Sequence, residues 1–275
     1  MKLPVPPRPD APGSVIDAVG LDPVGDGAPR APATWGLGEA LAVYLVGNLL
    51  IGQIVVAGIL VVLLGIEEIP TGGAGTDILA ISAAVAITFA ASILAWFRIR
   101  HPGWRGIVGL PAGREAAREF RWGAVAGLIV YPIVAFAAGT IVVIVLSALT
   151  GETVETPAQL SSDLSFAGRV LAAGYAILVA PVVEELYFRG VLLRSMLERR
   201  GFWPAAIVSS LVFGLVHWPI GEALGDALVL PIVMTVTGFA LAWIYSRRRN
   251  IVACVAAHMV FNTIGIVLIF SGIGE

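Results

Sequence analysis

Long apolar runs dominate this sequence and leave it few ways to fold. Stretches nearly free of charge recur at about residues 35–66, 78–97, 123–149, 166–188, 202–218, 227–246 and 251–270. Most reach the roughly 20 residues that an α-helix needs to cross a bilayer, and the fifth stands at the short limit. The composition agrees, since 58% of the 275 residues are hydrophobic and 13% charged, against roughly 45–50% and about 25% in soluble domains. The expected fold is all-α, a polytopic transmembrane helix bundle of about seven spans.

The first 34 residues hold eight of the 17 prolines and no apolar run, which predicts a disordered Pro-rich tail at 1–34. Residues 35–149 then supply the N-terminal transmembrane helices with a basic loop at 98–122, and residues 150–275 supply a second bundle. Arginines set the orientation, because cytoplasmic loops carry the excess of basic charge. The connections near 67–77, 150–165 and 219–226 contain no Lys or Arg, but they do contain Glu67, Glu68, Asp77, Glu152, Glu155, Asp163, Glu222 and Asp226. The alternate connections carry Arg98, Arg100, Arg105, Arg114, Arg118 and Arg121, then Arg194, Arg199 and Arg200, then Arg247, Arg248 and Arg249. The amino terminus is therefore expected in the cytoplasm and, with seven spans, the carboxyl terminus outside.

Tryptophans at 35, 96, 122, 203, 218 and 243 fall at predicted span ends, where an interfacial aromatic belt would place them. In the 98–122 loop, Trp104, Ile107, Val108, Leu110 and Phe120 lie among the arginines. That pattern fits either an amphipathic segment on the membrane surface or a solvated basic loop. His101 in this loop is expected to be exposed and without function. The net charge of −2 points to no nucleic-acid partner. Cys254, the one cysteine, can form no intrachain disulfide and reads as a packed thiol. One Lys against 16 Arg, with abundant Ala, Gly and Val, suggests a GC-rich genome and hence a bacterial cytoplasmic membrane.

Against this apolar background the stretch PVVEELYFRGVLL, residues 181–193, stands out. Each charged side chain costs about 2.5–3.5 kcal/mol at the centre of a membrane helix, so Glu184, Glu185 and Arg189 need a reason to be there. Glu185 and Arg189 are four apart and can neutralise one another on one helical face. Adjacent residues stand about 100° apart, so Glu184 and Glu185 are not expected to reach a single partner, and Glu184 is left as the unpaired carboxylate. The alternative is that the helix has already left the membrane and all three charges are wet. Two further polar pairs occur in later spans, Phe213 with His217 and His258 with Asn262. Polar groups in hydrocarbon face a bundle interior or a watery cavity, so these helices are expected to converge.

Such a group could hold and deprotonate a water with a carboxylate and a neighbouring imidazole. A second imidazole and a carboxamide N–H could then donate to the oxyanion formed when that water attacks an amide. The rival arrangement is a Zn²⁺ ion held by Glu184, His217 and His258. Asn262 speaks for the metal-free version, because an amide is a poor zinc ligand and a good oxyanion donor. The sequence also lacks the HExxH pattern that puts two histidines and a base on one helix.

The segments EELYFRG, FGLVH and HMVFN resemble, in order and combination, the EExxxR, FxxxH and HxxxN/D motifs of the CAAX protease and bacteriocin-processing family of membrane endopeptidases. The resemblance covers about residues 166–270. It implies that Glu184 activates the water with help from His217 and that His258 and Asn262 stabilise the oxyanion. It further implies that Glu185 and Arg189 hold the site together and that Phe213 shapes it. From the Asn262 argument no cofactor is expected, with zinc as the alternative. The partner would be a peptide or protein at the membrane, with or without a lipid group. A transporter or scaffold using the same groups for proton relay or packing is the other class. It would be built from repeats, and Pro132, Pro181 and Pro231 do not stand in corresponding positions.

Overall fold

A computed structural model describes residues 32–66, 75–157, 160, 164–219 and 222–271. The tail up to residue 31 lies outside them, as do Glu67, Glu68 and Asp163. The described residues form helices α1 (Leu37–Leu64), α2 (Thr76–Arg100) and the short α3 (Trp104–Val108). Helix α4 runs through three successive segments, Gly113–Tyr131, Pro132–Ala138 and Gly139–Thr150. Then come α5 (Phe166–Arg200), α6 (Phe202–Leu215), α7 (Leu224–Arg248) and α8 (Ile251–Ser271). Six runs are long and apolar enough to cross a membrane, so the chain is an integral membrane protein. The fifth predicted span is the exception, because α6 has 14 residues and rises only about 21 Å against a hydrocarbon core of ~30 Å.

Hydrophobic force cannot drive helices together inside lipid, so close backbone packing has to hold them. Small residues make that approach possible. A Cβ at Gly123 of α4 would stand 2.1 Å from the Ala253 carbonyl oxygen of α8, and one at Gly127 would stand 2.8 Å from that of Ala257. These glycines are four apart, as are the alanines they face, so one stripe of each helix forms the crossing. A Cβ at Gly214 of α6 would likewise stand 2.3 Å from the Pro231 carbonyl oxygen of α7.

Helix α5 lies at the centre of the bundle, and every residue of Leu186–Leu193 is buried. Residues Tyr175–Val179 and Leu186–Leu193 of this helix, and Tyr44–Ala57 of α1, adopt the wider π-helical turn with i→i+5 hydrogen bonds.

Polar clusters tie the helix ends at the arginine-rich end of the bundle. Glu119 of α4 accepts from Arg248 Nε at 2.8 Å and from Asn250 Nδ2 at 2.9 Å, bracing the turn between α7 and α8. Arg199 at the end of α5 donates to the Trp35 carbonyl. His101, expected to be exposed, is instead 6% exposed. Its Nε2 lies 3.0 Å from Glu39 Oε1, its Nδ1 lies 2.7 Å from Thr34 Oγ1, and its ring packs on Trp35 and Trp96. With a partner for each nitrogen, burying the imidazole strands no polar group. Trp35 also departs from the belt, since it is buried and donates to the Val191 carbonyl, whereas Trp203 and Trp218 are exposed. Ile107 and Val108 are buried in the bundle, so the apolar side of α3 faces protein. Cys254 is a packed thiol, buried with Sγ 3.6 Å from the Leu241 carbonyl oxygen.

Candidate functional site

Pro181 disturbs α5 three residues before the paired glutamates. Upstream, the Ala180 N–H bonds to the Tyr175 carbonyl in the i→i+5 register. The next donor in that register would serve the Ala176 carbonyl, but it is Pro181, which has no N–H. The freed carbonyl accepts from Asn262 Nδ2 of α8 at 2.6 Å. One N–H of the Asn262 amide is thus anchored, which fixes the direction of the other.

Glu185 and Arg189 are 0% exposed and 2.8 Å apart, so this part of α5 has not emerged into water. Arg189 also donates to the Gly238 carbonyl at 2.8 Å and lies over the Phe213 ring, 4.8 Å from its centroid. Glu185 serves a further group, because its Oε1 lies 2.9 Å from His258 Nδ1. Between a carboxylate and an imidazole nitrogen the proton belongs on the nitrogen, so His258 Nδ1–H donates to Glu185 and Nε2 is left facing away. There it meets Glu184, whose Oε2 is 3.8 Å off.

The expectation that adjacent glutamates could not reach one partner is therefore corrected. An imidazole carries nitrogens on two edges, and α5 changes to the wider turn at Leu186, directly after the pair. Widened turns of this kind are frequent at functional sites.

His217 lies in the turn that follows α6. Its Nδ1 is 2.6 Å from the Phe213 carbonyl oxygen, so that nitrogen carries the proton and Nε2 is free to accept. Buried Phe213 holds both imidazoles in place, with ring centroids 4.7 Å from His217 and 5.9 Å from His258. The short span has a use here, because α6 ends early enough to bring His217 level with α5 and α8.

Glu184, His217, His258 and Asn262 all line one cavity of about 660 Å³. Glu185, Arg189 and Phe213 lie behind its wall and do not line it. For zinc the fit is poor: among the described residues no three His, Cys, Asp or Glu side chains are grouped to hold a metal ion. Sequence reasoning missed another part of the lining, where Tyr44, Asn48 and Gln53 of α1 and Ser82 of α2 line the same cavity. A signal was present, since Asn48 and Gln53 are carboxamides in an otherwise apolar run.

Part of the chain is similar to known proteins. Residues 166–264 match the family model described as type II CAAX prenyl endopeptidase Rce1-like. "Putative membrane peptidase YdiL" of Bacillus subtilis is 30% identical over 91 residues, 33% of this chain and 34% of that protein. "UPF0177 protein YxdF" of Lactococcus lactis is 30% identical over 88 residues, 32% of this chain and 44% of that protein. The chain thus spans about a third and under half of the curated relatives it matches. No solved structure matches it significantly. The residues that match this family model, 166–264, include Glu184, His217, His258 and Asn262 of the cavity lining.

Proposed function

We propose that the cavity hydrolyses a peptide bond of a membrane-associated peptide or protein with a water activated by Glu184. The observation that carries this reading is the chain of groups Glu184, His258, Glu185 and Arg189 at the cavity wall. With His258 protonated on both nitrogens, two cations balance two carboxylates, so the set is neutral and can be kept out of water.

In the reaction, Glu184 takes a proton from water while the oxygen attacks the substrate carbonyl carbon. His217 Nε2 accepts from the same water and orients it. The negative charge that develops on the carbonyl oxygen receives the His258 Nε2–H and the second N–H of Asn262. When the tetrahedral intermediate collapses, Glu184 passes its proton to the leaving nitrogen, so the carboxylate is regenerated and atoms balance. Glu185, itself held by Arg189, keeps His258 in position. No metal takes part in this scheme. The family description suggests a prenylated CAAX-type sequence as one substrate, and the motif resemblance suggests peptide maturation or bacteriocin immunity in a bacterial membrane as the other setting.

The test is cleavage of prenylated and unprenylated peptides by the purified chain. Glu184→Gln should abolish turnover while leaving the melting temperature unchanged, because it removes the base and keeps the shape. Asn262→Ala should lower turnover by about 10²–10³, the usual cost of one oxyanion donor, in protein that holds no stoichiometric zinc. Turnover unaffected by Glu184→Gln would overturn the reading, and ion-coupled uptake lost with that substitution would favour a transporter. One zinc per chain, essential and replaceable, would overturn the metal-free scheme.

A further inference from the structure

Helix α1 lines the same cavity as Glu184, and its polar residues stand there because that helix is wide. Along Tyr44–Ala57 the buried residues are Gly47, Gly52 and Ala57, each five positions from the next. This is the repeat of i→i+5 turns, not of an α-helix. In an α-helix, positions nine apart stand about 180° from one another, and Gln53 would turn to lipid whenever Tyr44 faced the cavity. In the wide register nine positions make about two full turns, so Tyr44, Asn48 and Gln53 fall on one side, and all three line the cavity.

These carboxamides do not hold α1 in place. The contact with α2 is made by glycines: a Cβ at Gly47 would stand 2.9 Å from Ser92 Cβ, and one at Gly52 would stand 3.1 Å from Val85 Cγ1. Among the described residues neither Asn48 nor Gln53 has a hydrogen-bond partner, although Asn48 is half-buried. A half-buried amide such as Asn48 that bonds nothing in its own chain is set to bond something else, and Gln53, which is exposed, lines the same cavity.

A peptide drawn into such a cavity brings backbone N–H and C=O groups that have lost water, each costly unless it is paired. A carboxamide offers donors and an acceptor together, so it can match a peptide unit whatever side chain that unit carries. Building on the peptidase reading above, we propose that Asn48 and Gln53 bind the backbone of an extended peptide substrate and position it in the cavity that Glu184 lines. They are positioning residues.

The experiment separates this binding role from the chemistry. In Glu184→Gln chain, which retains bound peptide, a fluorescent prenylated peptide and a set of its single N-methyl derivatives are titrated by anisotropy. Asn48→Leu and Gln53→Leu should each weaken binding of the parent peptide by about 2- to 10-fold, the worth of one hydrogen bond. In otherwise unsubstituted protein the same changes should raise KM and leave kcat nearly unaltered. N-methylation at one position should cost a similar factor, and that cost should vanish in the Asn48→Leu, Gln53→Leu double variant. Unchanged Kd in both variants, or losses that simply add at every N-methyl position, would overturn the proposal even if Glu184 proves essential for cleavage. Should a variant melt low, the N-methyl series on the unsubstituted α1 decides, and tolerance at every position counts against it.

Discussion

At the residue scale, the two adjacent glutamates differ in environment more than in chemistry. The Glu184 side chain is 27% exposed, toward the cavity, while that of Glu185 is 0% exposed and faces Arg189 and His258. Glu185→Gln should therefore act on stability first. It leaves the buried Arg189 guanidinium without its counter-charge and offers Arg189 and His258 only a neutral amide oxygen, and a buried pair broken on one side typically loses about 3–5 kcal/mol. Thermal melting in detergent should show a clear drop for Glu185→Gln and none for Glu184→Gln; equal, normal melting of the two would contradict this division. The sequence made the Glu185–Arg189 pair legible, because positions four apart meet on any helix. It could not reveal that Glu185 also holds His258, a contact across 73 positions of chain.

At the element scale, the site depends on where helices leave the α register. The extents of α2, α7 and α8 were readable from apolar length within a few residues, because backbone pairing in lipid leaves little choice. The wide turns in α1 and α5 were not, since hydrophobicity is blind to whether a carbonyl bonds i+4 or i+5. Pro181 was the one local clue. Pro181→Ala supplies an N–H to the Ala176 carbonyl, so α5 should gain stability, as removal of a proline from a helix interior generally gives. Asn262 should then lose its anchor, and displacement of an oxyanion donor by about 1 Å can cost roughly 10²-fold in turnover. A chain that melts higher and turns over less is the expected pairing, and full activity in Pro181→Ala would show that the Asn262 anchor is dispensable.

For the whole molecule, the arginine pattern and the helix packing agree about which ends lie together. Arg248 of α7 reaches Glu119 of α4, and Arg249 Nη1 lies 3.5 Å from Glu198 of α5, so the basic connections share one end of the bundle. At the opposite end the Glu155 N–H donates to Asp226 at 2.7 Å, joining two of the acidic connections. Charge asymmetry of this kind orients a chain in the membrane, with the basic end in the cytoplasm. His258 lies seven positions into α8 from that end, a rise of about 10 Å, and the cavity it lines extends to Thr156 and Ile269 toward the acidic end. Orientation can be read by thiol labelling without removing the native cysteine, since Cys254 is buried. A cysteine at Arg118, whose side chain is 58% exposed, should react with an impermeant maleimide only in inverted vesicles. A cysteine at exposed Glu155 should react only in right-side-out vesicles. Labelling of position 155 from the cytoplasmic face would reverse the orientation.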